Sequence, residues 1–244
     1  MQVPSLQDLL KAGLHFGHKE SRWHPNMGPF LFGSKNNVHI IDLEQTQKKL
    51  ESAMFFCKQL GMRNGTLLLV STKSQTRPIV EAFAKEYGLP YVIGKWLGGT
   101  LTNFGVISKM FKKLMSLQEA ELDPLYEEKY TKWERGQFAK ERDELLKTIG
   151  GIVTLKGIPE AMFFTDIKQD KTALLESKVV HITSIGIVDS NANPDMVDFP
   201  IPGNDDAVKG TQLITECVVK SFVEGRKEGE EKKKGGEEKK EEVR

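Results

Sequence analysis

Thr66-Leu67-Leu68-Leu69-Val70, then residues 75–87, then Tyr91-Val92-Ile93, decide the fold of this chain. The first segment holds the longest purely aliphatic run in the sequence, and so short a run reads as a strand buried on both faces. Residues 75–87 follow a helical period, and Tyr91-Val92-Ile93 reads as the next strand. Upstream, Val38-His39-Ile40-Ile41 is a short strand and residues 44–62 a helix with Leu50, Ala53, Met54, Cys57 and Leu60 at helical spacing. Strand, helix, strand, helix, strand predicts an α/β protein: a parallel sheet with helices on its faces.

The alternation breaks after residue 103. Residues 104–122 read as a helix with Ile107, Phe111 and Leu114 on one side. Asp123-Pro124 reads as a restart, because Asp caps a helix and Pro suits its first turn. Residues 124–148 then form a second helix carrying Tyr126, Tyr130 and Trp133, ended by Gly150-Gly151. The pair makes an αα-hairpin, 104–150, inserted into a discontinuous sheet domain, 1–103 and 151–225. The sheet pattern resumes with Ala161-Met162-Phe163-Phe164-Thr165-Asp166, a helix over 171–181, the strand Ile185-Gly186-Ile187-Val188-Asp189, a short strand at 197–201 and a last helix over 205–223. Residues 226–244 are almost entirely Lys, Glu and Gly, and such a segment is predicted to be a disordered charged tail. At the other end, 5–12 is a short helix capped by Ser5, with Leu6, Leu9 and Leu10 as its apolar face. Residues 14–37 carry little periodicity but several aromatics, which marks a functional loop and argues against disorder.

Lys95-Trp96-Leu97-Gly98-Gly99-Thr100-Leu101-Thr102-Asn103-Phe104 joins the last strand of the first half to the hairpin. A cation, a flat ring and amides beside two glycines suit a phosphate backbone or a folded RNA surface. Charge points the same way. The whole chain carries +1, yet residues 1–113 hold 15 Lys/Arg against 7 Asp/Glu, whereas 151–225 hold 6 against 11. A basic N-terminal half implies a polyanionic partner. The candidate RNA-binding residues are Arg22, Lys35, Asn36, Lys95, Trp96, Gly98, Gly99, Thr102 and Asn103, with Lys11, Lys19 and Lys73 as weaker ones. Most of the hairpin 104–150 is acidic, with 6 Lys/Arg against 9 Asp/Glu over 114–150, so Phe111, Leu114, Tyr126, Tyr130 and Trp133 are candidates for a protein partner, set against their plainer role as the hairpin's own seam.

Other classes find less support. Neither GxGxxG nor GxxxxGK[ST] occurs, and Gly33-Ser34-Lys35 precedes a strand where a phosphate loop would follow one. An anion- or nucleotide-binding α/β enzyme would use the rim near Ser71, Thr72, Asp189 and Asn191, where open α/β sheets place ligands. His15, His18, Asp189 and Asp205 could hold a divalent metal, zinc or magnesium, if the fold gathers them; otherwise no cofactor is required. No run approaches the ~20 apolar residues of a membrane helix, and no signal-peptide pattern opens the chain. Two distant cysteines, Cys57 and Cys217, build no disulfide framework, which fits a reducing cytoplasm.

Several motifs in order resemble the small-subunit ribosomal protein S2 family of bacterial type. They are Leu10-Lys11-Ala12-Gly13 with His15-Phe16-Gly17-His18; Trp23, Pro25 and Met27; Phe32-Gly33, Asn36, Val38-His39-Ile40-Ile41-Asp42-Leu43 and Thr46. They continue with Trp96-Leu97-Gly98-Gly99, Leu101-Thr102-Asn103-Phe104, Val188-Asp189 with Asn191, Asp198-Phe199 and Ile201-Pro202-Gly203-Asn204-Asp205-Asp206-Ala207. Lys95 stands where the family usually has Arg, which keeps the charge and loses the bidentate fork. The resemblance implies a three-layer flavodoxin-like or Rossmann-like parallel sheet with the hairpin, of coiled-coil type, as its insertion. It implies a structural constituent of the small ribosomal subunit in the cytoplasm, bound to small-subunit rRNA and neighbouring ribosomal proteins. It implies neither catalysis nor a small-molecule substrate nor a membrane.

Overall fold

The computed structural model describes residues 3–155 and 157–241. Ser5 opens helix α1 (Leu6–Lys11) with a reciprocal capping box: its side chain accepts from Asp8 N–H while the Asp8 carboxylate reaches back to Ser5. Only Leu9 of the three leucines is buried; Leu6 and Leu10 are exposed. Strands β1 (Phe16–Lys19), β2 (Leu31–Lys35) and β3 (Val38–Ile41) follow, joined by 3₁₀ turns at Glu20–Arg22 and Pro25–Phe30. They form a separate antiparallel sheet in the order β1-β3-β2. Val38–Ile41, which the alternation assigns to the parallel sheet, is therefore a strand of the antiparallel one instead. Asn36 and Asn37, at φ 55° and 61°, close a tight β2–β3 turn that pairs the strand with its own neighbour.

Helix α2 (Leu43–Met62), capped by Asp42, leads to β4 (Leu67–Ser71), α3 (Arg77–Tyr87) and β5 (Tyr91–Ile93). The insertion comprises α4 (Phe104–Leu122), the one-turn α5 (Tyr126–Lys129) and α6 (Lys132–Ile149). The second arm is thus broken where the sequence reading makes it continuous. Asp123 bonds Leu125 N–H and the Lys129 ammonium, whereas the longer helix restarts at Thr131, which makes a second capping box with Glu134. Then come β6 (Ala161–Phe164), α7 (Lys171–Val179), β7 (Thr183–Val188), β8 (Phe199–Pro202) and α8 (Val208–Glu241).

All five strands of the main sheet are parallel, in the order β5-β4-β6-β7-β8. Alternate residues of the strands face opposite layers. Leu67, Leu69, Phe163, Ile185, Ile187 and Ile201 pack with Leu50, Val80, Val218 and Phe222 of α2, α3 and α8. Leu68, Val70, Met162, Phe164 and Val188 pack with Leu174 of α7 and with the root of the insertion, Ile107, Phe111, Leu114 and Ile149. This is a three-layer, flavodoxin-like arrangement.

Helix α8 continues past Gly225 through Glu241, and residues 242–244 of the expected charged tail lie outside the described residues. Around Gly225 and Gly229 it closely approaches α2. A Cβ on Gly225 would lie 2.0 Å from Lys58 O, and one on Gly229 would lie 2.5 Å from Met62 O. Lys58 also pairs with Glu224 and Glu228, and Arg226 donates to Tyr87 O. Glycines that read as flexible composition form the contact itself.

Candidate nucleic-acid interface

The strands of a parallel sheet end on one rim, and here that rim carries the segments singled out above. The small antiparallel sheet is anchored there by Ser190, just after β7. Ser190 Oγ accepts His18 N–H at 2.7 Å, and Ser190 O accepts His24 N–H at 2.8 Å. A Cβ on Gly17 would stand 2.8 Å from Ser190 Oγ, so only glycine lets β1 lie this close. Asn26 adds bonds to Asn193 and Asp195. Leu14 O accepts Asn204 N–H, and Met27 is fully buried. The Asn/Asp-rich loops after β7 and β8 thus act as a clamp.

What this clamp presents to solvent is basic and aromatic. Lys19, Arg22, Lys35 and Asn36 are exposed, with Phe16, Trp23 and Phe32 among them. Phe32 is 80% exposed and Phe16 53%. These two rings were not among the candidates. Their alternation with charge in a glycine-rich stretch was the available signal, and it reads equally well as core. Trp23 leans on His39 at 5.3 Å, so it is half platform and half packing. Lys11 is exposed in the last turn of α1.

The 95–104 loop is built differently. Glu176 of α7 accepts from Trp96 Nε1 at 3.1 Å, Gly99 N–H at 2.7 Å and Leu101 N–H at 3.1 Å. Trp96 is 8% exposed. The ring and the loop amides expected to meet RNA are held by an internal carboxylate. Lys95, Gly98, Thr102 and Asn103 remain exposed around it.

Lys73 also turns inward. Its ammonium lies 2.8 Å from Asp205, 2.6 Å from Asp206 and 3.4 Å from Asp166. Burial pulls its pKa down, but the bonds from Asp205 and Asp206 more than reverse this and keep it charged. Burial pushes the Asp205 carboxyl up to about 7, with Asp166 and Asp189 adding repulsion. The hydrogen bond to Asp189, 3.1 Å from Nδ1, raises His18. Of the four metal candidates the fold thus brings His18 and Asp189 into contact, with Asp205 in the same charge cluster. Asp205 is committed to Lys73 and His18 to Asp189, while His15 Nδ1 is buried without a bond. Among the described residues no group of three or more His, Cys, Asp or Glu could hold a metal ion. Ser71 and Thr72 are tied into the protein's own hydrogen bonds. Ser71 Oγ bonds Thr76 and Thr165, and Thr72 N–H bonds Asp170.

In the insertion, Phe111 and Leu114 are core, and the Tyr126, Tyr130 and Phe138 rings pack on one another. Trp133 is 72% exposed, and Leu122, Leu125 and Met115 of the insertion are exposed as well. No described helix is long and apolar enough to cross a membrane.

Residues 9–225 match the family model described as ribosomal protein S2, so the chain belongs to that family. Its members are structural proteins of the small ribosomal subunit; it is not an enzyme family and needs no cofactor.

Proposed function

From membership of the S2 family, we propose that this chain sits on the cytoplasmic small ribosomal subunit with rRNA across the small antiparallel sheet. The observation that carries this reading is the set of exposed rings, Phe16, Trp23 and Phe32, interleaved with Lys19, Arg22 and Lys35 on a sheet clamped by Ser190. Cations neutralise phosphates, and exposed rings stack on unpaired bases whatever their identity, at ~1–3 kcal/mol per base. The exposed Lys95, Thr102, Asn103 and Lys11 serve as positioning groups for phosphate and sugar. The exposed end of the insertion, with Trp133, Leu122 and Leu125, serves a neighbouring ribosomal protein.

The test is binding of small-subunit rRNA by the full chain across a salt series. Arg22→Ala and Lys35→Ala should each lower the slope of log K against log salt by about one, as expected for one lost phosphate contact. Phe32→Ala should weaken binding without altering the slope. Unchanged affinity in all three variants would move the RNA elsewhere.

A further inference from the structure

Two outer helix faces of this chain carry uncompensated charge of opposite sign, each beside exposed aliphatic side chains. On α7, Lys171, Leu175, Lys178 and Val179 share one face at helical spacing. Leu175 is 45% exposed and Val179 69%. The one carboxylate of α7, Glu176, is taken up by the 95–104 loop. Among the described residues Lys171 has no carboxylate partner, and the Lys178 ammonium reaches only the Asp195 carbonyl oxygen, at 3.4 Å, and the Met196 sulfur, at 3.8 Å. On α4, Met115, Glu119 and Leu122 recur at the same spacing, with Met115 51% and Leu122 83% exposed. Glu119 meets no cation among the described residues, whereas Glu121 beside it is paired with Arg142. Single exposed aliphatics are ordinary on a protein surface. A pair at helical spacing beside unpaired charge has the composition of a contact with an apolar centre and a polar rim. Both faces stay open in the single chain. Met115 and Leu122 lie about 17 and 27 Å along α4 from Phe104, at ~1.5 Å per residue, whereas the loop before α4 is the part bound to α7.

We propose that copies of the free chain associate head to tail, the Met115–Leu122 stripe of α4 on one copy seating on the Leu175–Val179 face of α7 on the next. Glu119 then sits between Lys171 and Lys178, the two cations that flank Leu175, while Met115 and Leu122 cover Leu175 and Val179. Charge selects a second copy as the occupant: the face of α7 is cationic, the stripe of α4 is anionic, and every copy carries both. A phosphate backbone would use the lysines but leave Leu175 and Val179 in water. Because the two faces differ, the contact is heterologous and propagates unless its rotation closes a ring. Each face is a single helix wide, which places the contact below the ~1,200–2,000 Å² of stable interfaces and makes it reversible. The end of the insertion is also the surface assigned above to a neighbouring ribosomal protein. Self-association therefore belongs to the chain before it joins the subunit, where it keeps Leu122 from water until the neighbour replaces the second copy. It stands independently of the RNA reading.

The test is sedimentation velocity of the full chain over a concentration series at low and high salt. The parent's average mass is expected to rise with concentration from 27.5 kDa towards at least twice that value, and to fall back when salt screens the ion pairs. Lys171→Glu/Lys178→Glu makes the α7 face anionic, and Glu119→Lys makes the α4 stripe cationic. Each variant should remain monomeric, with a melting temperature close to the parent's because all three side chains are exposed. Mixed in equal amounts, the two variants should associate again, since every α7 face then finds an α4 stripe of opposite charge. Association of the mixture excludes a folding defect as the reason that each variant is monomeric alone. A parent that stays monomeric across the series, variants that associate like the parent, or a mixture that stays monomeric overturns the proposal.

Discussion

Gly99 donates its backbone N–H to the Glu176 carboxylate at 2.7 Å, and the second oxygen of the same carboxylate takes Leu101 N–H at 3.1 Å. With the Trp96 indole as a third donor, this one side chain organises the turn between β5 and the insertion. Hydrogen bonds to a charged acceptor are each worth ~1.5–3 kcal/mol, and buried donors left unpaired are penalised further. Glu176→Ala should therefore destabilise the chain by about 3 kcal/mol. It should also red-shift Trp96 emission as the ring is released to water. Urea unfolding and tryptophan fluorescence check this, and unaltered emission would mean that the loop is held by packing alone.

Gly17 and Ser190 are in close approach, and the small sheet depends on it. Gly17→Ala inserts a Cβ 2.8 Å from Ser190 Oγ and 3.1 Å from His39 O. The expected result is faster hydrogen exchange in β1 and β3 with the five-stranded sheet still protected. Weaker rRNA binding should accompany it. Equal protection in both sheets would show that they unfold as one unit.

Gly225→Ala tests the pairing of α2 with α8. The added methyl would lie 2.0 Å from the Lys58 carbonyl, so the helices must separate. Overpacking of this kind costs ~1–3 kcal/mol, against the few tenths to one gained from alanine's better helix propensity. Net loss of stability in thermal denaturation is expected; a net gain would mean that the helices part here without cost.

Stability of the free chain should fall as pH rises from about 4 towards 7. Asp170 and Asp205 are both raised from 3.8 to about 7, so the folded state binds more protons than the unfolded state across that interval. Their contribution is complete below the unfolded value and is lost as pH climbs through the folded one. His18, raised by Asp189, contributes with the same sign around and above its ordinary value. Asp170→Asn should flatten the slope measured by urea unfolding at several pH values. A slope equal to the parent's would remove Asp170 from the titration.

The parallel ladder was legible because β4 and β5 are short apolar segments separated by one helix, a pattern with a single common solution. The placement of Val38–Ile41 was not, since four apolar residues look alike in either sheet and only the Asn36-Asn37 turn distinguishes them. The basic, aromatic character of residues 14–37 was visible, but its clamp was not, because Ser190 lies 172 residues from His18. The 95–104 loop misled for the same reason: its acceptor, Glu176, is 77 residues from Gly99, and amides that look available in sequence are already bonded. Lys73 counted as a surface cation until three carboxylates from the ends of β6 and β8 closed around it.

The position of the insertion also governs how the chain matures during synthesis. Strand β4 is interior, yet its pairing Leu67↔Ala161 joins it to a neighbour translated only after the whole hairpin. At synthesis rates of ~5–20 residues per second, that interval lasts about 5–20 s. Throughout it, one edge of this largely aliphatic strand lies open beside β5 alone. Such an edge is a template for misjoining with other nascent chains.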